Sequence, residues 1–312
     1  MKNTDIGRLH HVGLVVADLA TARTVYSTLG FILPPPAYPT LAKDGNPPRP
    51  FGAAHTHAYF AKNFIELVAR VTEDNPIPDD AKLIPLQIPP EHLARVTAAI
   101  TQTIDALTAR LARFQGLHRL VFQTSGIDAT DGRLSSAGVT HGGVNSAARQ
   151  VDTPEGPRTR TVRVIEIGNV PEGMLAVAEA DPAQQGADHP NGAVELMDCV
   201  LSVPAAALGD FEARYAAYVG RPARDDGPAR VFDLDRGRLT LVPDDHLAIL
   251  LPGERSPALP AFVAYAVAVR DIDATRDLLR RNGVPTKVSA AGDPFVPAAA
   301  ALGAAVIFRR ME

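Results

Sequence analysis

His11–Phe31 reads HVGLVVADLATARTVYSTLGF, Arg119–Val139 reads RLVFQTSGIDATDGRLSSAGV, and Ala264–Val284 reads AYAVAVRDIDATRDLLRRNGV; the three align without a gap. Each opens on alternating residues, the period of a strand with one buried face. The apolar phase is Val12, Leu14 and Val16 in the first, Leu120 and Phe122 in the second, and Tyr265, Val267 and Val269 in the third. A short polar turn follows at Ala17-Asp18, Ser125-Gly126 and Arg270-Asp271. Each segment then has room for a helix that stops at Gly30, Gly138 or Gly283, where glycine accepts the left-handed cap. A fourth copy, Asp198–Gly220 (DCVLSVPAAALGDFEARYAAYVG), keeps the design with a longer turn.

After each helix the pattern is that of strands. The first copy continues with Ala53–Phe60 and Phe64–Val71 around Ala61-Lys62-Asn63. The second continues with Val144–Val151, Arg160–Ile167 and Met174–Ala178, split at Asp152-Thr153-Pro154-Glu155-Gly156 and Pro171-Glu172-Gly173. In the C-terminal half the strands are Arg230–Leu234, Leu239–Val242, Lys287–Ser289, Phe295–Val296 and Ala305–Phe308. A strand, a helix and three antiparallel strands thus recur as four βαβββ modules, over residues 10–72, 117–180, 193–251 and 260–312. Glu91–Phe114 carries Leu93, Val96, Ile100, Ile104, Leu107 and Leu111 at helical spacing and links the first two modules. Asp181–Asn191 (DPAQQGADHPN) is rich in turn formers and marks a boundary. The expected class is α+β, with modules paired into domains at residues 1–185 and 186–312.

Composition narrows the partners. The 312 residues are 46% hydrophobic and 21% charged, with a net charge of −4 and no long basic run. Nucleic acid and anionic membrane surfaces therefore have no electrostatic support. The single Cys199 permits no intrachain disulfide and fits a reducing compartment. Met1 to Arg8 is polar and leads directly into a strand, and no apolar stretch is long enough to span a bilayer, so a cytoplasmic protein is expected. No GxGxxG follows a strand and no P-loop occurs, so no nucleotide cofactor is expected.

The repeat resembles the vicinal oxygen chelate (VOC) superfamily of glyoxalase I, methylmalonyl-CoA epimerase, extradiol dioxygenases and bleomycin-resistance proteins. LHHVGLVVADLATARTVYSTLGF looks like its first strand and helix, and His57–Val68 (HAYFAKNFIELV) like its third and fourth strands. His189-Pro190-Asn191-Gly192-Ala193 resembles a phrase of the glyoxalase-like subgroup. The resemblance implies that two modules curl into a cup holding a divalent metal (Fe, Mn, Ni, Zn or Co) and a small oxygen-rich ligand. Such an ion polarises a carbonyl or stabilises an enediolate.

On that likeness His11 takes the first-strand ligand position and Glu66 the last-strand one, each opposite in phase to its apolar neighbours. His10 has the other phase. In the second module the gapless repeat sets Arg119 against His11, while His118, the rival metal ligand, shares its phase with Leu120 and Phe122. Guanidinium binds carboxylates rather than metals, so Arg119, with Gln123 in phase, is a candidate substrate anchor. The module-two carboxylate, as ligand or catalytic group, is Glu179 or Glu166. His57 and Tyr59 alternate onto one face with His55 as substrate-binding candidates. Asp198, Ala264 and Thr240 stand where the C-terminal pair would carry ligands, so that pair is degenerate.

Two functions follow. One is a metal-dependent lyase or isomerase working in the N-terminal cup, with extradiol-type oxygen chemistry as a variant. The other is a metal-free protein that binds a small molecule, as in the bleomycin-resistance branch. The expected partner in either is a small-molecule ligand, and a homodimer is compatible with both.

Overall fold

A computed structural model describes residues 5–42, 47–72, 74–86, 88–153, 156–179 and 186–311. Residues 181–185 of the expected boundary, residue 180 at the end of the second module and Pro154-Glu155 of one expected turn lie outside the described residues. The first sheet has ten strands: β1 (Ile6–Val15), β2 (Ala37–Leu41), β3 (Arg49–Pro50), β4 (Ala53–Tyr59), β5 (Phe64–Arg70), β6 (Lys82–Pro85), β7 (Gly116–Thr124), β8 (Asn145–Thr153), β9 (Gly156–Ile167) and β10 (Met174–Glu179). Their order is β3-β2-β4-β5-β1-β7-β10-β9-β8, with β6 alongside β2. The second sheet comprises β11 (Ala193–Val203), β12 (Arg224–Asp226), β13 (Ala229–Asp233), β14 (Arg238–Pro243), β15 (Ala261–Val269), β16 (Lys287–Val288), β17 (Pro294–Val296) and β18 (Ala305–Arg310). It repeats the plan as β12-β13-β14-β11-β15-β18-β17-β16. In both, the two leading strands lie antiparallel at the centre and each is flanked by its own module's last strand, running parallel.

Among the described residues six α-helices complete the α+β fold: α1 (Leu19–Thr28), α2 (Pro90–Arg113), α3 (Ile127–Ser136), α4 (Leu208–Val219), α5 (Leu247–Leu250) and α6 (Ile272–Arg281). Asp18 and Asp271 cap α1 and α6 by accepting from the second and third backbone N–H groups beyond them. The glycines that end the repeated helices have φ of 85° at Gly30, 68° at Gly138 and 69° at Gly283, left-handed values that a side chain would oppose. Among the described residues no helix is long and apolar enough to cross a membrane.

Simple alternation fails on the leading strands, and the failure is informative. The residues of β1 and its continuation that enter the core shared by both sheets are Ile6, Leu9, Val12, Leu14 and Val16; those of β11 are Ala193, Leu196, Cys199, Leu201 and Val203. Both runs step by three, three, two and two. The extra residues are β-bulges, seen as register shifts at Leu9/His11 on β1 and Leu196/Asp198 on β11. A bulge sets two residues of one strand against one of its partner. It re-aims His10, which strict alternation had put on the face away from His11.

Core residues from both sheets form one cluster, running from Leu14, Tyr26 and Phe122 to Tyr215, Tyr265 and Phe308. Polar ties cross it. The hydroxyls of Tyr26 and Tyr265 are 2.7 Å apart. Asn63, at the tip of the β4–β5 turn, donates to the carbonyls of Leu9 and Leu196 and accepts from the Leu196 N–H. The His189–Ala193 phrase is a clamp of the same kind. His189 Nδ1 accepts from the Ile32 N–H, its Nε2 donates to the Tyr59 carbonyl, and Asn191 Nδ2 donates to the Leu29 carbonyl.

Candidate functional site

The faces of the two sheets turned away from this shared core differ: the first carries small apolar clusters, one of them Val121, Ala176 and Ala178, beside a polar group, and the second is apolar throughout its centre. On the second sheet Val200, Val242, Ala264, Ala266, Ala305 and Ile307 pack with Phe295 and with Leu247 and Leu251 at α5 into a closed apolar cluster. On the first sheet α2 lies across the face, Leu107 and Leu111 packing on Val15 and Val68. Polar side chains gather beyond that contact.

Glu66 is the centre of the group. It sits opposite His57 on β4 and beside Gly13 on β1. Arg119 donates from Nη1 to Glu66 Oε2 at 2.5 Å, and His57 Nε2 lies 3.8 Å from Oε1. Burial alone would raise the Glu66 carboxyl, but the Arg119 charge and the His57 contact hold it well below its ordinary 4.5. The pair fits because residue 13 has no side chain: a Cβ there would stand 3.0 Å from both Glu66 Oε2 and Arg119 Cβ. Register sets Val200, Thr240 and Ala264 of the second sheet in the places of Gly13, Glu66 and Arg119. There a large residue at the first position and small ones at the others fill the space with hydrocarbon.

The imidazoles complete the floor. His10 and His11 meet through their Nδ1 atoms at 2.7 Å, so one ring donates and the other accepts. Burial lowers His10 to about 4 and His11 well below 6.5; both are neutral at pH 7. His57 Nδ1 and the Tyr59 hydroxyl are 2.9 Å apart. Arg110 of α2 faces the group, its ionised form disfavoured by burial and then by the Arg119 charge, and favoured by Glu166.

His11, His57, Tyr59, Glu66 and Arg119 are therefore brought together. Gln123 lies on the same strand face, its Oε1 buried and without a hydrogen-bond partner among the described residues. Glu166 pairs across from Ala176. Two residues do not join them. His118 is 1% exposed, stacks on Phe114 and donates from Nε2 to the Phe114 carbonyl, and burial lowers it to about 4. Glu179 shares its phase with the core residues Leu175 and Val177. Its carboxylate accepts from the Ile127 N–H at the start of α3 and from Arg163, away from the cup. The last-strand position equivalent to Glu66 is Ala176, three residues earlier. Sequence reasoning missed His10, Phe64 and Arg110. The Leu9–Val12 spacing of three signalled the first, whereas nothing in α2 tells where that helix docks.

The group does not fit a divalent ion as arranged. Among the described residues no three imidazole, thiolate or carboxylate groups converge on one point. The cup's central carboxylate is engaged by a guanidinium, which stands where the repeat would place a third ligand.

Paired βαβββ modules around a polar cup define a VOC protein. The chain belongs to the glyoxalase-like domain family, whose model matches residues 9–219. Solved structures share the fold. A triple mutant of 4-hydroxymandelate synthase from Streptomyces coelicolor matches with a TM-score of 0.57 at 10% identity, covering 98% of this chain and 92% of that one. A hypothetical protein from Staphylococcus aureus matches at 0.56 and 10% identity, covering 98% and 100%. A Mn(II)-bound glyoxalase from Novosphingobium aromaticivorans matches at 0.53 and 12% identity, covering 98% and 83%. No curated protein matches the sequence.

Proposed function

We propose that this chain is a metal-independent member of the glyoxalase-like family that binds a small molecule in the cup of its first sheet. The observation that carries the reading is the Arg119–Glu66 contact at 2.5 Å. The carboxylate a metal would need is neutralised by a fixed cation, and a divalent ion beside that guanidinium would be repelled. Arg119 supplies the positive charge in the cup without a bound ion. Protein purified without chelator is expected to hold no stoichiometric metal and to keep its ligand affinity in EDTA. Stoichiometric Mn, Fe, Ni, Zn or Co in the wild type, lost in His11→Ala, would overturn the reading.

A second reading, a metal-dependent lyase or isomerase, draws on one observation. His11, His57 and Glu66 share a face, and two imidazoles with a carboxylate are a donor set that divalent ions take. It requires Arg119 to leave Glu66. The metal measurement separates the two, and the Mn(II)-bound glyoxalase among the structural neighbours makes manganese the first ion to test.

A further inference from the structure

Two features of the cup are not needed by the fold. The first is a continuous run of rings. His10 meets His11 edge-on at 5.0 Å, His11 stacks on Phe64 at 4.5 Å and 9°, and Phe64 meets His57 edge-on at 5.0 Å. His57 stacks on Tyr59 at 4.9 Å and meets His55 at 5.0 Å. All six residues are partly exposed. The chain has no tryptophan and only 5% Phe and Tyr, so this gathering on an open face is selective. The second sheet lacks it: the stacked His11/Phe64 pair is replaced in register by the ion pair of Asp198 and Arg238.

The second feature is an under-used pair of guanidiniums. Arg119 spends only Nη1 on Glu66, so its Nε and Nη2 donors meet no acceptor among the described residues. Arg110 makes no side-chain hydrogen bond or ion pair with a described residue, though Arg119 and, to a lesser degree, the opposite charge of Glu166 lie close enough to act on it. Two partly desolvated cations facing one another repel; Glu166 offsets this only in part at Arg110, and an anion between the two relieves it further. The planar fork of guanidinium favours carboxylate geometry.

We infer that the cup takes an aromatic carboxylate, its ring lying against the His11–Phe64–His57–Tyr59 wall and its carboxylate between Arg119 and Arg110. The inference rests on the reading of the cup as the ligand site and names the ligand's class. Glu66 touches Arg119 with one oxygen and approaches His57 with the other, so wall and guanidinium are about one carboxylate apart. That spacing suits a ligand whose carboxylate is joined to its ring directly or through a very short linker.

Phenylacetate, its neutral amide phenylacetamide, and the non-aromatic cyclohexylacetate test the class. Each is titrated into the full chain and followed through the histidine ring resonances. Phenylacetate is expected to shift the His11 and His57 signals saturably, and the other two to bind at least about tenfold more weakly. Arg110→Gln should weaken phenylacetate by about tenfold. That substitution breaks no hydrogen bond or ion pair among the described residues, Glu166 acting on Arg110 only at longer range, and the variant's unliganded histidine spectrum reports whether it folds. Equal binding of the amide, equal binding of cyclohexylacetate, an unaffected Arg110→Gln, or no binding of phenylacetate would each sink the inference. Saturable shifts confined to histidines outside the cup would sink the cup reading as well, whereas charge-blind binding within the cup removes only the carboxylate.

Discussion

Arg119 and Glu66 are unequal partners, and the inequality can be measured. The Glu66 side chain is 11% exposed and that of Arg119 is 26% exposed. Removing the guanidinium strands a carboxylate in a poorly hydrated place, whereas removing the carboxylate leaves an arginine that still reaches water. Arg119→Gln is therefore expected to cost about 2 kcal/mol at pH 7, the buried-pair figure discounted for the arginine's exposure. Glu66→Gln should cost less than half as much. The pH dependence carries the sign. Without Arg119 the Glu66 carboxyl loses its main restraint, burial is opposed only by the His57 contact and the nearby imidazoles, and Arg119→Gln should recover part of its loss at pH 5, where more of the group is neutral. Urea denaturation of both variants at pH 7 and pH 5 checks this. An Arg119→Gln penalty that is no larger than that of Glu66→Gln, or that grows on acidification, would show that the pair does not hold the charge as described.

At the level of elements, α2 is what turns an open sheet face into a bounded cup. Leu107 is 2% exposed between Val15 and Val68, and Arg110 one turn on faces Arg119. Leu107→Ala should cost about 2–4 kcal/mol and loosen α2 over the cup, read as faster amide exchange along α2 than in α1. Uniform protection in both helices would detach α2 from this role. The same helix shows what the sequence makes legible. Its stripe from Leu93 to Leu111 announces an amphipathic helix, and the gapless repeat announces four leading strands with their helices. Pattern alone does not say which surface receives the stripe, because docking depends on contacts between distant segments. The short strands β2, β3, β6 and β12 were not read, being too brief or too polar to alternate. Strict period-two phasing placed Glu66, His57 and Arg119 on one face. It misjudged His10 because a bulge adds a residue without changing the letters around it. Glu179 was a register error of a similar kind: topology named the right strand, but only the pairing of Arg119 with Met174 shows that Ala176 holds the position.

Across the whole molecule, several imidazoles sit where protonation is penalised, and this links the fold to pH. Burial lowers His118 and His10 to about 4, and lowers His189 at the clamp between the sheets. A histidine whose folded value lies below its unfolded 6.5 stabilises the native state only while it is neutral. In the window between the two values the unfolded chain binds more protons than the native one, so stability falls as pH falls from 6.5 toward 4. For His118 alone the loss at pH 5 is about 2 kcal/mol. His10, with a part-exposed ring, adds less. Glu66 is lowered as well, but it acts in a lower window: its contribution is complete above 4.5 and is lost only below that value. Acid unfolding should thus begin among the histidines and involve the Glu66 carboxylate later. Because the core is one cluster spanning both sheets, the urea midpoint should drop as a single transition between pH 7 and pH 5. His118→Gln should flatten that drop. A midpoint unchanged down to pH 4.5, or a wild-type slope retained in His118→Gln, would show that these rings are not what makes the fold sensitive to acid.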